Sequence, residues 1–147
     1  MKVLVLTLFC LLLAENEAKR FDKCELAKSL KQKGLDGYHG ISLADWVCTA
    51  FYESRFDTSA VGPPDSHGNR DYGIFQISSR WWCDNGHRPT ENVCKTSCNA
   101  FLNDDITDDI KCAKMIVLDP NGMGAWVSWR EHCKGQDLSG WTKDCNL

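Results

Sequence analysis

The chain reads as an α+β domain, with helices flanking a small antiparallel sheet. Three features predict this. Apolar residues recur at helical spacing towards both ends, a turn-rich stretch lies between them, and a short apolar run inside that stretch has strand character. With 147 residues, 43% hydrophobic and 25% charged, the chain suits one globular domain and is too apolar for a disordered one.

The N-terminus is a separate object. Lys2 precedes an apolar run from Val3 to Ala14, and polar Glu15-Asn16-Glu17 leads to Ala18. This is the layout of a secretory signal peptide, predicted here for residues 1–18, leaving a mature domain over residues 19–147. The run falls short of the ~20 residues that span a bilayer. A buried N-terminal helix is the other reading of this segment. No later segment is apolar enough to cross a membrane, so a secreted, extracellular, monomeric protein is expected.

Removing the leader takes Cys10 from the nine cysteines and leaves eight: Cys24, Cys48, Cys83, Cys94, Cys98, Cys112, Cys133 and Cys145. An even count in an oxidising compartment predicts four disulfides, although spacing alone does not choose their partners. A metal cluster of Cys83, His87, Cys94 and Cys98 is disfavoured, because its spacings do not follow the usual zinc patterns. The formal net charge is −3. With Lys2, Glu15 and Glu17 gone, 16 basic and 18 acidic residues remain, a net of about −2. There is no Lys/Arg block, which excludes nonspecific nucleic-acid binding.

Along the mature chain, Leu26, Ala27 and Leu30 share one face of a helix over 24–33, stopped by Gly34. Ser42 is placed to cap a second helix, with Asp45 in a capping-box position and Leu43, Trp46, Val47, Ala50 and Phe51 as its apolar stripe to about Ser54. Residues 57–79 carry turn signals in Gly62-Pro63-Pro64 and Ser66-His67-Gly68-Asn69, and Tyr72 to Ile77 reads as one short strand. Ile106, Ile110, Ala113 and Val117 mark a third helix, ended by Pro120-Asn121-Gly122, and 125–133 a short fourth.

Several strings are specific when taken together: Cys24-Glu25-Leu26-Ala27, Ser42-Leu43-Ala44-Asp45-Trp46-Val47-Cys48, Asp71-Tyr72-Gly73-Ile74-Phe75-Gln76-Ile77, Arg80-Trp81-Trp82-Cys83, and Asn121-Gly122-Met123 before Ala125-Trp126-Val127. With all eight cysteine positions, they make the mature chain resemble the chicken-type (c-type) lysozymes. The resemblance implies a lysozyme-like fold: a helical lobe, a small β lobe and a cleft between them. It implies the pairings Cys24–Cys145, Cys48–Cys133, Cys83–Cys98 and Cys94–Cys112.

Cleaving a glycosidic bond requires a proton for the leaving oxygen and an anion beside an oxocarbenium-like centre, so two carboxyl groups in opposite ionisation states suffice. The resemblance places Glu53 and Asp71 at those positions. Glu53 falls at the C-terminal end of an apolar helix, where the helix dipole and burial both disfavour a carboxylate. Asp71 follows the polar Ser66–Arg70 turn, whose hydrogen bonds and water are expected to keep it ionised. By resemblance Trp81, Trp82 and Trp126 bind sugar, and Gln76, Ser78, Asp119, Ala125 and Val127 line the cleft. Trp46, Trp129 and Trp141 read as packing residues. Two departures stand out: Ser78 replaces an Asn found in many members, and Gly62-Pro63-Pro64 marks a region one residue longer than the commonest pattern.

The string Asn103-Asp104-Asp105-Ile106-Thr107-Asp108-Asp109 concentrates negative charge. Either it opens a helix, where the dipole favours anions, or it holds a hard cation through oxygen ligands. It is similar to the calcium loop of α-lactalbumins and calcium-binding lysozymes. That likeness implies Ca2+ held by side chains of Asn103, Asp108 and Asp109 and by backbone carbonyls of Ala100 and Asp105. Asn103 stands where the first side-chain ligand is usually Asp.

The expected activity is hydrolysis of β-1,4 bonds between N-acetylmuramic acid and N-acetylglucosamine in bacterial peptidoglycan, with retention of configuration, on peptidoglycan or chitin-type oligosaccharides. The alternatives are a non-catalytic α-lactalbumin-like regulator of a glycosyltransferase and a sugar-binding lysozyme-like protein without turnover.

Overall fold

The structure is a computed structural model that describes residues 19–147; the predicted signal peptide lies outside the described residues. Four helices carry the larger lobe: α1 (Lys23–Gln32), α2 (Leu43–Ser54), α3 (Thr107–Ile116) and α4 (Val127–His132). Short 3-10 turns at Tyr38–Gly40, Cys98–Phe101, Gly122–Ala125 and Ser139–Trp141 join them. The smaller lobe holds β1 (Asp71–Tyr72) and β2 (Ile77–Ser78), antiparallel, with Asp71 opposite Ser78 and Tyr72 opposite Ile77.

Local chemistry explains the helices. The Ser42 hydroxyl accepts the Asp45 N–H at 3.1 Å, which caps α2. Asp45 does not complete the predicted box: its carboxylate accepts from the Ser42 hydroxyl at 2.6 Å and from Trp129 Nε1 at 2.8 Å, which pins α4 onto α2. At the start of α3 the Asp105 carboxylate accepts from the Thr107 N–H at 3.0 Å and its hydroxyl at 2.6 Å. The fourth helix is shorter than expected, because 122–125 forms a 3-10 turn ahead of it.

The stretch 72–77 is not one strand. Tyr72 and Ile77 sit on opposite strands, and residues 73–76 form the turn between them. Burial explains this. Ile74 and Phe75 are fully buried at the tip of the turn and enter the same core as Leu30, Trp46, Phe101 and Val117. Gly73 permits it, having a φ of 79° where a Cβ would stand only 2.4 Å from the Phe101 carbonyl oxygen. The apolar run that resembles a strand is the plug joining the β lobe to the helices.

Four disulfides join Cys24 to Cys145, Cys48 to Cys133, Cys83 to Cys98 and Cys94 to Cys112. These are the pairs the resemblance implies, and they leave no thiolate in the Cys83–Cys98 region for a metal cluster. The first two tie α1 and α2 to the C-terminal segment, and the last two staple the irregular chain between β2 and α3. Among the described residues, no helix is long and apolar enough to cross a membrane.

Candidate active site

A cleft of about 180 Å3 opens between the lobes, lined by Glu53, Asp71, Gln76, Ile77, Ser78, Trp82, Ile116, Ala125, Trp126 and Val127. Glu53 comes from the last turn of α2 and Asp71 from β1, so the two acids meet only because the lobes are joined correctly. Ser54 makes that joint: its hydroxyl, buried beside Glu53, donates to the Ile74 carbonyl at 2.8 Å and lies 3.0 Å from that of Ala50. Trp126 forms the second joint. It is 5% exposed, its Nε1 donates to the Phe75 carbonyl at 2.8 Å, and its ring packs edge-on to Trp46 at 5.7 Å. Its N–H is thereby taken up inside the protein, so Trp126 offers the cleft an apolar wall and no donor.

The two carboxyl groups differ in setting. Glu53 is partly buried, and desolvation raises its pKa above the ordinary glutamate value; the Asp71 charge raises it further, while the hydroxyl and N–H of Ser128 pull it partly back. Asp71 is also raised, by the crowding of the cleft walls and then by Asp65. The expected hydrogen bonds from the Ser66–Arg70 turn do not reach it. The His67 and Asn69 N–H groups instead bind the Asp65 carboxylate, at 2.8 and 2.9 Å, and the Ser78 hydroxyl accepts the Arg80 N–H at 3.1 Å. Asp71 is nonetheless exposed, so solvent can reach its carboxyl group. The Asp71 charge is one of the causes that raise the Glu53 pKa, so an ionised Asp71 helps hold the proton on Glu53.

Two of the residues expected in the cleft are not among its lining. Trp81 is 50% exposed on the turn before Cys83, with the Arg80 guanidinium 4.2 Å above its ring. Asp119 is exposed after α3, where its carboxylate accepts the Asn121 N–H at 3.0 Å. Conversely, Ile77, Ile116, Ser54 and Ser128 belong to the site or its support, and sequence reasoning passes over them. Nothing local distinguishes Ser54 or Ser128 from any other helical serine; their partners lie on other elements. Of the packing tryptophans, Trp46 is fully buried, and Trp141 stacks obliquely on Phe51 at 5.1 Å.

The matching family model covers residues 19–145 and is described as the C-type lysozyme/alpha-lactalbumin family. The chain belongs to that family. It is 56% identical to the dog (Canis lupus familiaris) protein named Lysozyme C, milk isozyme, over 88% of this chain and 100% of that one. It is 53% identical to Lysozyme C of Scophthalmus maximus, over 95% and 97% of the two chains. It is also 51% identical to human sperm acrosome-associated protein 5, over 97% and 89%.

Asp109, in the first turn of α3, is fully buried, and neither carboxylate oxygen has a hydrogen-bond partner. Burial pushes its pKa well above the ordinary value, and the charges of Asp108 and Asp105 add to this, while the backbone N–H groups of Asp109 and Ile74 lie near enough to pull it partly back without making good hydrogen bonds. An orphaned buried carboxylate needs a proton or a cation. The acidic string offers carboxylate and amide oxygens, which are of the hard type that suits calcium, although the Asn103 Oδ1 accepts the Asp105 N–H at 3.1 Å. Among the described residues, no three His, Cys, Asp or Glu side chains converge on one point.

Proposed function

We propose that this protein is a secreted muramidase, released from its leader at residues 1–18, that hydrolyses β-1,4 bonds between N-acetylmuramic acid and N-acetylglucosamine in bacterial peptidoglycan. One observation carries the reading: an acid whose pKa is raised by burial and a more exposed acid, whose charge raises that pKa further, line the same cleft from opposite lobes. Glu53 gives its proton to the glycosidic oxygen as the bond breaks. Asp71 faces the resulting anomeric carbon as nucleophile, and Glu53 then takes a proton from the water that releases the sugar, so configuration is retained. This division of labour is the one for which the lysozymes are the type case. Trp82 and Trp126 supply walls for sugar faces.

The experiment is muramidase activity of the purified protein on bacterial cell walls, read as clearing and as new reducing ends. Turnover supports the reading. Binding of chitin oligosaccharides without product would mark a sugar-binding protein, and a shift of galactosyltransferase towards glucose would mark a regulator.

The pH profile is a second test. Activity requires Glu53 protonated and Asp71 ionised, and both pKa values are raised. Both limbs of kcat/KM against pH are therefore expected above the ordinary Asp and Glu values, with activity lost as pH climbs through the raised Glu53 pKa. A basic limb at or below the ordinary glutamate value would contradict the assignment.

Calcium is part of the proposal. The side chains of Asn103, Asp108 and Asp109 and the carbonyls of Ala100 and Asp105 would hold it, and it would neutralise the charge at the start of α3. Its role would be structural, tying the 98–105 segment to the helix.

A further inference from the structure

Gly62 is one of the few glycines whose backbone does not require glycine, since its φ is not positive. It lies beside the site. Its N–H donates to the Asp71 carbonyl at 2.9 Å, and neighbouring Val61 bridges to Tyr72, so residues 61–62 run along the edge of β1. A Cβ at position 62 would stand 3.2 Å from Gln76 Oε1 and 3.7 Å from the Asp71 Cβ, touching two side chains that line the cleft.

Gln76 has little freedom to yield. Its Nε2 donates to the carbonyls of Ala60 at 3.0 Å and Gly73 at 2.9 Å. That pairing also settles the amide orientation, because the reverse would set an oxygen against two carbonyl oxygens. The backbone of Gln76 is held at a φ of 48° by the turn. Its Oε1 accepts no hydrogen bond from any described residue and is thus a fixed, free acceptor beside Asp71. Pro63 and Pro64, which follow Gly62, have no N–H to offer the cleft.

We propose that Gly62 is a positioning residue: by carrying no side chain it lets the clamped Gln76 amide hold Oε1 as an acceptor for a hydrogen-bond donor of the glycan, a sugar hydroxyl or acetamido N–H, next to Asp71. This rests on the muramidase reading, and it explains why the Gly-Pro-Pro segment flanks the cleft. It makes this part of the site selective for donor-bearing sugar positions over alkylated ones.

The test is a double-mutant cycle of Gly62→Ala and Gln76→Ala, read on N-acetylglucosamine oligosaccharides and on the same sugars with O-methylated hydroxyls. Gly62→Ala is expected to raise KM about two- to tenfold, the worth of one neutral hydrogen bond, with a smaller change in kcat. The double variant should be no worse than Gln76→Ala alone, because both act through one contact. Discrimination against the methylated sugar should shrink in every variant. Thermal unfolding of each variant serves as the control for folding. Strictly additive effects, or unchanged KM and unchanged discrimination in a folded Gly62→Ala, would overturn the proposal while leaving the muramidase reading intact. An inactive wild-type protein would defeat that reading instead, and oligosaccharide affinities measured by calorimetry would then decide the Gly62 contact by the same cycle.

Discussion

Glu53→Gln lowers kcat on peptidoglycan by about 10²- to 10⁴-fold, the usual contribution of a positioned general acid. Gln keeps the size and the partial burial of the side chain but has no proton to give the leaving oxygen. The same substitution is expected to raise the melting temperature at neutral pH. The folded state raises the Glu53 pKa, so the protonated form is favoured in the fold and its benefit is present only at low pH. Above the folded pKa the buried charge works against folding, and Gln removes that charge. The gain should fade at acid pH, where Glu53 is protonated both folded and unfolded. Cell-wall assays and pH-dependent calorimetry on one variant thus test the role and the environment together. An active Glu53→Gln protein would exclude Glu53 as the acid. An inactive one that melts earlier at neutral pH would point to a damaged fold.

A dependence of stability on calcium is the second large effect expected from the proposed site. A cation that binds only the folded state adds about 2.7 kcal/mol when its free concentration is a hundred times Kd, or about 5–15 °C for a domain of this size. Chelator should lower the melting temperature by that order, and added calcium should restore it. Asp109→Asn should abolish the response, since it removes the buried carboxyl group proposed to hold the ion. Asn103→Asp should enlarge the response at low calcium by adding a third carboxylate to the set. A melting temperature indifferent to both chelator and calcium would leave the acidic string as a helix start, a task the Asp105 cap on Thr107 already performs.

Legibility varied with the range of the interaction behind each feature. The starts and faces of α1, α2 and α3 follow from patterns within one or two turns: Leu26, Ala27 and Leu30 at helical spacing, Ser42 at a cap, Ile110 and Ala113 in one stripe. The run 72–77 misled because alternation and apolarity do not reveal whether a segment is a strand or a buried turn. Gly73, taken alone, is compatible with both. The environment of Asp71 is hidden from local pattern for a similar reason. The polar turn before it does form hydrogen bonds, but its N–H groups face Asp65.

By itself the sequence determined the helices, the apolar faces that build the core, the number of disulfides and, through its specific strings, the family. These depend on composition and on short-range periodicity. Only the tertiary structure decided that the turn before Asp71 spends its N–H groups on Asp65, that Trp126 turns its N–H inward, and that Trp81 and Asp119 stand outside the cleft lining. Those outcomes rest on contacts such as Ser54 with Ile74 and Trp126 with Phe75, which span 20 and 51 residues of chain. Solvation and hydrogen-bond partners are properties of the assembled surface, and no local pattern of residues encodes them.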